Sequence, residues 1–353
     1  MKKFLAILLA VVILAGAAAI IVPRVMRKDA GEEKVLNIFT WESYVDEVTL
    51  GQFMEETGIQ VNYQTFATNE EMLLKLQANG GSEYDIIIAS DYIVKAAADE
   101  GLLMNIDRSK LTNWDNLNPH YMGQYFDPEN AYSVPYTAGS PMIVYDPSQV
   151  EGEITSFSDL WNEQFADGLW MIDDARVVVG EVLKSLGYSY NTTDEAQLNE
   201  AAEKLAGLKN NIRVLEYDMS YNYLVSGEVK AAYLFTPYVV NSLQENPDLV
   251  AVYPSEGIGF GIDSIIVPAN APHPENAHAF IDFYMRPEIA ATVAEWQWYI
   301  NPNQAADELI DPALSSLSPL NIPEELQATK EYVQPLGENE SLFQDIWTAF
   351  KLG

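Results

Sequence analysis

The sequence contains no cysteine among its 353 residues, and histidine is scarce. The lack of cysteine excludes disulfide bonds, thiolate nucleophiles and thiolate metal sites, and it excludes a lipid anchor on an N-terminal cysteine. The three histidines are His120, His273 and His278. His273 lies between two prolines and His278 lies on a predicted surface helix, so we expect both side chains to be solvated. Few side chains are therefore left for acid–base or nucleophilic catalysis.

The familiar catalytic and phosphate-binding motifs are also missing, because no H-E-x-x-H, G-x-S-x-G, Walker or G-x-G-x-x-G arrangement is present. The nearest approach is the glycine-rich stretch at 257–261, which is followed by Ile262, Asp263 and then a predicted strand. A phosphate loop opens a helix instead, so a chain hinge is the better interpretation. We predict that the protein is not an enzyme and uses neither a cofactor nor a metal ion.

Positive charge is in short supply, with 19 Lys and Arg residues against 52 Asp and Glu and a net charge of −33. Five of the basic residues and none of the acidic ones lie in the first 28 positions, so the remainder of the chain carries −38. Such a field repels nucleic acid and anionic lipid and attracts cations. An acidic surface that serves only solubility explains the same numbers.

One long apolar run, residues 4–22, stands at the N-terminus behind two lysines. As a helix its nineteen residues would extend about 28 Å, close to the hydrocarbon thickness of a bilayer. The alanines at 17–19 suit a cleaved signal peptide, whereas the continuation of the run beyond them favours an uncleaved signal-anchor. Both interpretations export the rest of the chain. We therefore predict a signal peptide or signal-anchor at 1–28, a linker at 29–34, and an extracytoplasmic protein attached to the membrane.

The length of the chain predicts two domains, because single cores stop growing at about 250–300 residues. Strand patterns at 35–40, 60–63 and 85–89 alternate with helical patterns that end at Gly58 and Gly80. This order predicts an α/β fold with a parallel sheet. Ligands of such sheets bind beyond the carboxyl ends of the strands.

Predicted strands and helices also alternate through the second half of the chain. We predict further strands at 170–172, 231–235 and 264–268, and helices after 176, at 195–209, at 275–283 and at 342–350. The segment after Ile300 is rich in proline and predicted to be mostly loop until the last helix.

Aromatic and carboxylate side chains collect at the predicted strand and loop ends. The set comprises Trp41, Tyr44, Tyr92, Phe235, Tyr299, Glu42, Asp91, Asp174 and Asp263. An aromatic face attracts a cation by about 0.5–2 kcal/mol, and a carboxylate about 4 Å from an ammonium gains about 4 kcal/mol before desolvation. The combination predicts a pocket for an organic cation. Taken singly, each residue has a simpler interpretation, since aromatics usually fill cores and Asp173 or Asp174 could cap a helix.

Short sequence blocks along the chain carry a further signal through their order. The first is LNIFTWESYV at 36–45, followed by QFMEETGIQVNY at 52–63. The others are TNEEMLLKL (68–76), YDIIIASDY (84–92), IDRSKLTNWDNLNP (106–119), YSVPYTAG (132–139), DDAR (173–176), LGYSYNTTD (186–194), DSIIVPANA (263–271) and Tyr299 before NPN (301–303). In this order the blocks resemble the spermidine/putrescine-binding proteins of bacterial ABC importers. The resemblance covers residues 36–305 and is weak over the last fifty residues.

The resemblance implies a two-lobed periplasmic-binding-protein fold whose lobes close on the ligand by bending at hinge crossovers. Lobe 1 would comprise 35–138 plus 263–303, and lobe 2 would comprise 139–262 plus 304–353. The crossovers would lie near 137–141, near 259–263 and near Asn303.

The function implied by the resemblance is that of the extracytoplasmic solute-binding component of an ABC importer. Such a protein captures polyamines of the putrescine or spermidine type and delivers them to permease and ATPase subunits. We expect it to act as a monomer and to bind no nucleic acid.

The resemblance also implies a site. Trp41 and Tyr44 would stack on the methylene chain, Ser90 and Tyr92 would flank it, Asp174 and Asp263 would hold the terminal amines, and Tyr299 would close the box. Five positions depart from the family pattern: Val177 replaces an expected acid, Phe235 and Gly261 replace tryptophans, Glu42 replaces a hydroxyl, and Tyr217 replaces a small polar residue. Glu42 or Asp91 could restore the missing charge, and Phe260 could restore a ring.

Other functions stay open at this point. The same fold could bind a different small solute, such as an amino-acid derivative or a metal ion, although no clear tyrosine pair like that of iron-binding relatives is present. An extracellular hydrolase would need two carboxylates converging on one bond. A structural or adhesive surface protein would lack a closed pocket between lobes.

Overall fold

The structure is a computed structural model that describes residues 32–216 and 222–353. The predicted signal segment lies outside the described residues, as do the first three residues of the predicted linker and the candidate site residue Tyr217. Within the described ranges, no helix is both long enough and apolar enough to cross a membrane. The described chain forms two β-sheets with helices packed around them.

The first sheet combines the N-terminal strands with strands from later in the chain. It comprises β1 (Val35–Trp41), β2 (Gln60–Phe66), β3 (Ile86–Ser90), β4 (Ser133–Gly139), β10 (Gly259–Ile266) and β11 (Glu331–Tyr332). The order is β11-β10-β3-β1-β2, and β4 also pairs with β10. Strand β1 is parallel to β2 and β3, whereas β10 is antiparallel to β3 and β4. The predicted parallel sheet is confirmed for the first three strands.

Helices α1 (Glu47–Thr57) and α2 (Asn69–Asn79) connect these strands, and their local sequence fixes both ends of each. Asp46 caps α1 by accepting from the backbone N–H groups of Val48 and Thr49. Both helices end at a left-handed glycine, with φ of 70° at Gly58 and 63° at Gly80. The sequence predicted both of these ends. Helix α3 (Asp91–Asp99) follows β3 directly.

The second sheet has the order β7-β6-β8-β5-β9. Its strands are β5 (Pro141–Tyr145), β6 (Leu169–Ile172), β7 (Ile212–Glu216), β8 (Ala231–Phe235) and β9 (Val250–Val252), and its helices are α4 (Ala175–Ser185), α5 (Glu195–Ala206) and α6 (Thr236–Glu245). Strand β6 is parallel to β7 and β8. Strands β6 and β8 are therefore confirmed where the sequence placed them.

The chain passes between the two sheets at two short links. Ser140, which is buried, separates β4 of the first sheet from β5 of the second. Its backbone N–H donates to Thr236 Oγ1 at 3.2 Å, which fixes this link to the start of α6. The return to the first sheet is made by β10, which begins at Gly259 and thus earlier than the sequence predicted.

The C-terminal part contributes to both halves of the molecule. Its helices are α7 (Pro274–Tyr284), α8 (Pro287–Gln297), α9 (Pro312–Ser315), α10 (Glu324–Gln327) and α11 (Glu340–Leu352). Strand β11 pairs with the start of β10, whereas Phe343, Trp347 and Phe350 of α11 join the core of the second sheet. The strand, the helix at 275–283 and the terminal helix predicted after Asp263 are therefore present, whereas α8 was not predicted.

The prediction that His273 and His278 are solvated was wrong. His278 is 3% exposed, and its Nε2 accepts from the Asp107 backbone N–H at 2.9 Å. His273 places Nδ1 3.0 Å from Oδ2 of Asp85, a fully buried carboxylate. The sequence pattern misled because α7 packs the face that carries His278 onto the hydrophobic core of the first sheet, to which Ala277 and Ile281 also belong.

Candidate binding site

The candidate residues of the first sheet meet where β1 and β3 end. Tyr44 lies in the loop after β1, and Ser90 and Asp91 stand at the junction of β3 and α3. Asp263 lies within β10, paired with Ser90 on one side and with Thr137 on the other. Directly opposite residues share a face of a sheet, so β10 brings Asp263 into this group.

A hydrogen-bond network connects Tyr44 to the sheet. Its hydroxyl donates to Oδ2 of Asp263 and lies 2.9 Å from Oγ1 of Thr137. Burial raises the pKa of Tyr44 well above its usual value, and the charges of Asp263 and Tyr299 add to the effect. Burial also raises the pKa of Asp263, although hydrogen bonds from Tyr44 and Ser90 oppose it. Tyr44 is therefore a neutral donor that orients an electron-rich carboxyl group.

Asp91 adds a second carboxyl group beside the first. It is 1% exposed, and Oδ1 accepts from the Tyr92 backbone N–H at 2.7 Å. Among the described residues, Oδ2 has no hydrogen-bond partner. Burial raises the pKa of Asp91 well above its usual value, and the neighbouring Asp263 raises it further. A cation placed between these two groups would relieve both the desolvation and the repulsion.

Tyr92 of α3 and Asp174 at the start of α4 come from the two halves of the molecule and interact electrostatically. The Tyr92 hydroxyl accepts from Asn69 Nδ2 at 2.9 Å and donates to Glu70 Oε1 at 3.1 Å. Burial raises the pKa of Tyr92, the charge of Glu70 adds to the shift, and the charge of Asp174 makes a smaller contribution. Burial raises the pKa of Asp174 itself. Asp174 is also the N-cap of α4, where its Oδ1 accepts from the Val177 backbone N–H at 3.0 Å, so capping and a place in the site are compatible.

The remaining aromatic candidates are spread more widely. The Tyr299 ring lies 6.4 Å from the Tyr44 ring, measured between centroids, and forms part of the group. Phe235 is the last residue of β8, opposite Pro141, and is half-buried against the hydrophobic core of the second sheet. Trp41 packs edge-on against Phe66 with centroids 4.5 Å apart.

Glu42 is exposed, and among the described residues neither it nor Trp41 has a hydrogen bond to Tyr44 or Asp263. Of the two acids considered as replacements for the one missing at Val177, Asp91 thus lies within the group and Glu42 lies in solvent. Phe260 is buried in the hydrophobic core of the first sheet. The Nζ atom of Lys330 lies 4.4 Å from its ring centroid, so the ring already interacts with a cation from the protein itself.

Several residues of this region escaped the sequence analysis. Thr137 is one of the two partners of the Tyr44 hydroxyl. Arg176, two positions after Asp174, donates from Nη2 to Asn191 Oδ1 at 2.9 Å and packs over the Phe343 ring at 4.4 Å. The DDAR block contained Arg176, and a cation in the first turn of a helix was the signal that could have found it.

Tyr125 and Glu340 gave no such signal. The Tyr125 hydroxyl donates to the Val333 carbonyl at 2.7 Å, and the Asp91 charge adds to the burial that raises the Tyr125 pKa. Glu340 Oε1 lies 3.4 Å from Arg176 Nε. Val333 and Glu340 both belong to the C-terminal segment, where the family resemblance is weak.

A small cavity of about 20 Å³ lies within the hydrophobic core of the first sheet, lined in part by Tyr136, Tyr284 and Asn303. Tyr136 stands between it and the candidate site, because its hydroxyl donates to the Tyr44 carbonyl at 3.1 Å. The volume suffices for a single water molecule and no larger ligand. In the described part of the chain, no group of three or more His, Asp or Glu side chains is arranged to hold a metal ion.

Comparison with known proteins identifies related chains over most of this length. A sequence model described as bacterial extracellular solute-binding protein matches residues 50–318. The spermidine/putrescine-binding periplasmic protein of Escherichia coli strain K12 is 35% identical over 325 residues, covering 92% of this chain and 93% of the relative. The putrescine-binding periplasmic protein SpuD of Pseudomonas aeruginosa is 29% identical across the full length of both chains.

A solved structure shows the same arrangement of the two sheets. The spermidine/putrescine ABC transporter substrate-binding protein PotD of Streptococcus pneumoniae, determined in complex with calcium and HEPES, superposes with a TM-score of 0.81 at 34% identity. The match covers 90% of this chain and 98% of that one. The predicted α/β fold of the periplasmic-binding type is therefore confirmed.

Proposed function

Because the chain belongs to the family of bacterial extracellular solute-binding proteins, we propose that it captures polyamines for an ABC importer. Relatives that are 35% identical over nine-tenths of this chain are named for binding spermidine and putrescine. The family is extracellular or periplasmic, and its transporter members work with a permease. The polyamine ligand and the residues that hold it belong to the proposal.

The observation that carries the proposal is a pair of neighbouring carboxyl groups, that of Asp91, which is buried, and that of Asp263, which is half-buried. Burial and mutual repulsion raise the pKa of Asp91, and one oxygen of Asp91 is without a hydrogen bond in the described structure. Transfer of an ionised carboxylate into such surroundings is unfavourable unless a cation or several donors accompany it. An ammonium group supplies both a positive charge and up to three N–H donors.

We place the second ammonium group of the ligand at Asp174, which follows β6 of the second sheet. A diamine has one ammonium at each end of an apolar methylene chain, which matches two acidic positions separated by aromatic side chains. In this arrangement the rings of Tyr44, Tyr92 and Tyr299 would stack on the methylene chain; the ring centroids of Tyr44 and Tyr299 lie 6.4 Å apart, and Asp174 acts electrostatically on Tyr92. We place Phe235 and Trp41 at the margins of this pocket.

The division into lobes follows from the same proposal. Lobe 1 comprises 35–138 plus 263–303 and contains Asp263, whereas lobe 2 comprises 139–262 plus 304–353 and contains Asp174. The start of β10 and strand β11, which this division assigns to lobe 2, pair within the first sheet. Ligand held by both acids favours closure, since only the closed form engages both. The bends would occur at the links around Ser140 and at the start of β10.

The proposal extends to the setting in which the protein works. We infer that residues 1–28 hold the protein at the outer face of the cytoplasmic membrane, that it acts as a monomer, and that it releases its ligand unchanged. The relatives are transport components, and a binder of this kind needs no catalytic group.

Isothermal titration calorimetry of the chain from residue 29 onward tests the ligand. Putrescine, spermidine and spermine are titrated alongside 1,4-butanediol, a neutral analogue of putrescine. We expect tight binding of at least one polyamine and none of the diol. Asp263→Asn should weaken binding by about 30-fold or more, because removing one partner of a buried charge pair costs about 2–5 kcal/mol. Asp248→Asn, at an exposed position of the second half, is the matched control.

The proposal fails if no polyamine binds while a neutral or anionic solute binds tightly. It also fails if Asp263→Asn and Asp248→Asn bind polyamine equally well. Circular dichroism and a thermal melt of each variant separate a lost site from a lost fold.

A further inference from the structure

Three glycines lie inside strands of the described chain: Gly139, Gly259 and Gly261. A glycine weakens a strand because it has no side chain to pack and loses more conformational freedom than other residues on folding. Each therefore calls for a physical reason.

Neighbouring rings explain two of them. A Cβ atom on Gly139 would lie 2.9 Å from Cδ1 of Tyr299, and one on Gly259 would lie 2.4 Å from Cζ of Tyr190. Carbon atoms do not approach this closely, so any larger residue would displace a packed ring. At both positions glycine is required by the core.

Neither a left-handed backbone nor a crowded neighbourhood explains the glycine at position 261. Its φ is not in the left-handed region, so the backbone would accept any residue. Within residues 32–216 and 222–353, a Cβ atom on Gly261 would meet no heavy atom within 4 Å. Its neighbours Phe260 and Ile262 point into the core and are almost fully buried. Gly261 therefore borders open space on the opposite face of β10.

That face is the one that carries the candidate site. Asp263 lies two residues further along β10, about 6–7 Å away and on the same side of the strand. Across the sheet, Gly261 pairs with Gly139, whose surface is covered by the Tyr299 ring. The open space thus has a carboxylate at one end and an aromatic ring at its side.

We propose that this space is a compartment of the binding site that admits a bulky apolar substituent next to the ammonium held by Asp263. The inference rests on the proposed polyamine function and narrows it to amines that are N-substituted by an aryl or arylalkyl group. An unbranched methylene chain is thin and leaves the compartment to water. A planar substituent would fill it and stack beside Tyr299. Gly261 is then a residue that determines specificity through the volume it leaves free.

Calorimetry with putrescine and N-benzylputrescine tests the compartment in the wild-type chain and in Gly261→Trp. We expect the wild type to bind N-benzylputrescine at least as tightly as putrescine. Gly261→Trp should lower the affinity for N-benzylputrescine relative to that for putrescine by about 10-fold or more, because the indole takes up the space that the benzyl group would fill. Gly51→Trp, in α1, is the matched control, because a Cβ on Gly51 would likewise meet no heavy atom of the described residues within 4 Å and Gly51 has no left-handed φ.

Two results overturn the inference while the polyamine function stands. One is a wild type that binds putrescine but rejects N-benzylputrescine about 10-fold or more. The other is a Gly261→Trp chain that weakens both ligands equally, as a closed hinge or a distorted strand would. Gly261→Leu gives the same test if the tryptophan variant does not fold. A wild type that binds no amine overturns the proposed function, and the compartment with it.

Discussion

The buried carboxyl group of Glu181 gives the stability of this protein a defined pH dependence. Glu181 lies in α4 and is fully buried, and its Oε2 accepts from the Tyr233 hydroxyl at 3.0 Å. In the described structure Oε1 has no partner. Burial raises the pKa of Glu181 to about 8, and the charge of Glu256 adds to this, whereas Lys184 and the Tyr233 hydrogen bond oppose it.

The sign of the effect follows from the direction of this shift. A carboxyl group whose pKa is higher in the folded state binds its proton more tightly there, so folding is favoured while the proton is held. The contribution is complete below the unfolded pKa of about 4.3 and disappears as the pH rises through about 8. The free energy of unfolding therefore falls by about 1.4 kcal/mol per pH unit well inside this window, or by about 2 kcal/mol between pH 6 and pH 8, since the slope is halved at a pKa of about 8.

Urea unfolding at pH 6 and pH 9, followed by tryptophan fluorescence, measures this difference. Glu181→Gln keeps the shape of the side chain and one acceptor for Tyr233 but has no proton to lose. We expect the variant to lose much less stability than the wild type between the two pH values, and to be the more stable of the two at pH 9. Glu153→Gln, at an exposed loop position, should behave like the wild type.

One result would refute the reasoning. If Glu181→Gln loses as much stability as the wild type between pH 6 and pH 9, another group is responsible for the pH dependence. Three of the seven tryptophans, Trp161, Trp170 and Trp347, belong to or border the cores of the second sheet, so the fluorescence signal includes the half that contains Glu181.

Three further predictions concern the site and the first sheet. Tyr44→Phe should weaken polyamine binding about 3- to 30-fold in calorimetry, because Asp263 loses the hydroxyl that orients it; unchanged affinity would contradict this role. Gly139→Ala should lower the free energy of unfolding in urea by about 1–3 kcal/mol, since the new Cβ displaces the Tyr299 ring, whereas Gly51→Ala should not. Asp85→Ala should lower it by about 3 kcal/mol or more, because Asn37 and His273 lose a fully buried acceptor; a neutral result would show that water replaces the carboxylate.

The sequence was sufficient for the local structure because the signals for helix and strand ends are local. Asp46, Gly58 and Gly80 mark the ends of α1 and α2 through bonds that span only a few residues. The group of Tyr44, Ser90, Asp91 and Asp263 was also found, since each stands at a strand end or within a strand that the family pattern places there.

Long-range packing was beyond the reach of the pattern. His278 was expected on a surface, but its ring accepts a hydrogen bond from the N–H of Asp107, which lies 171 residues earlier in the chain. The same reason explains why Thr137, Tyr125 and Glu340 were missed, because each acquires its role from a partner distant in sequence. Whether Gly261 borders space or packing could be read only from the position of its neighbours.

The place of β10 in the first sheet has a consequence for the order in which the protein becomes functional. This strand lies between β3 and β11 and also pairs with β4, yet it is made more than 160 residues after β3. Contacts of such sequence separation form late, because the chain between them must first be closed into a loop. Until residues 259–266 have emerged and docked, the first sheet lacks an inner strand and exposes the edge of β3. The same strand supplies Asp263, so a nascent or partly folded chain lacks the acid that would hold the ligand, and the ability to bind arrives together with the completed sheet.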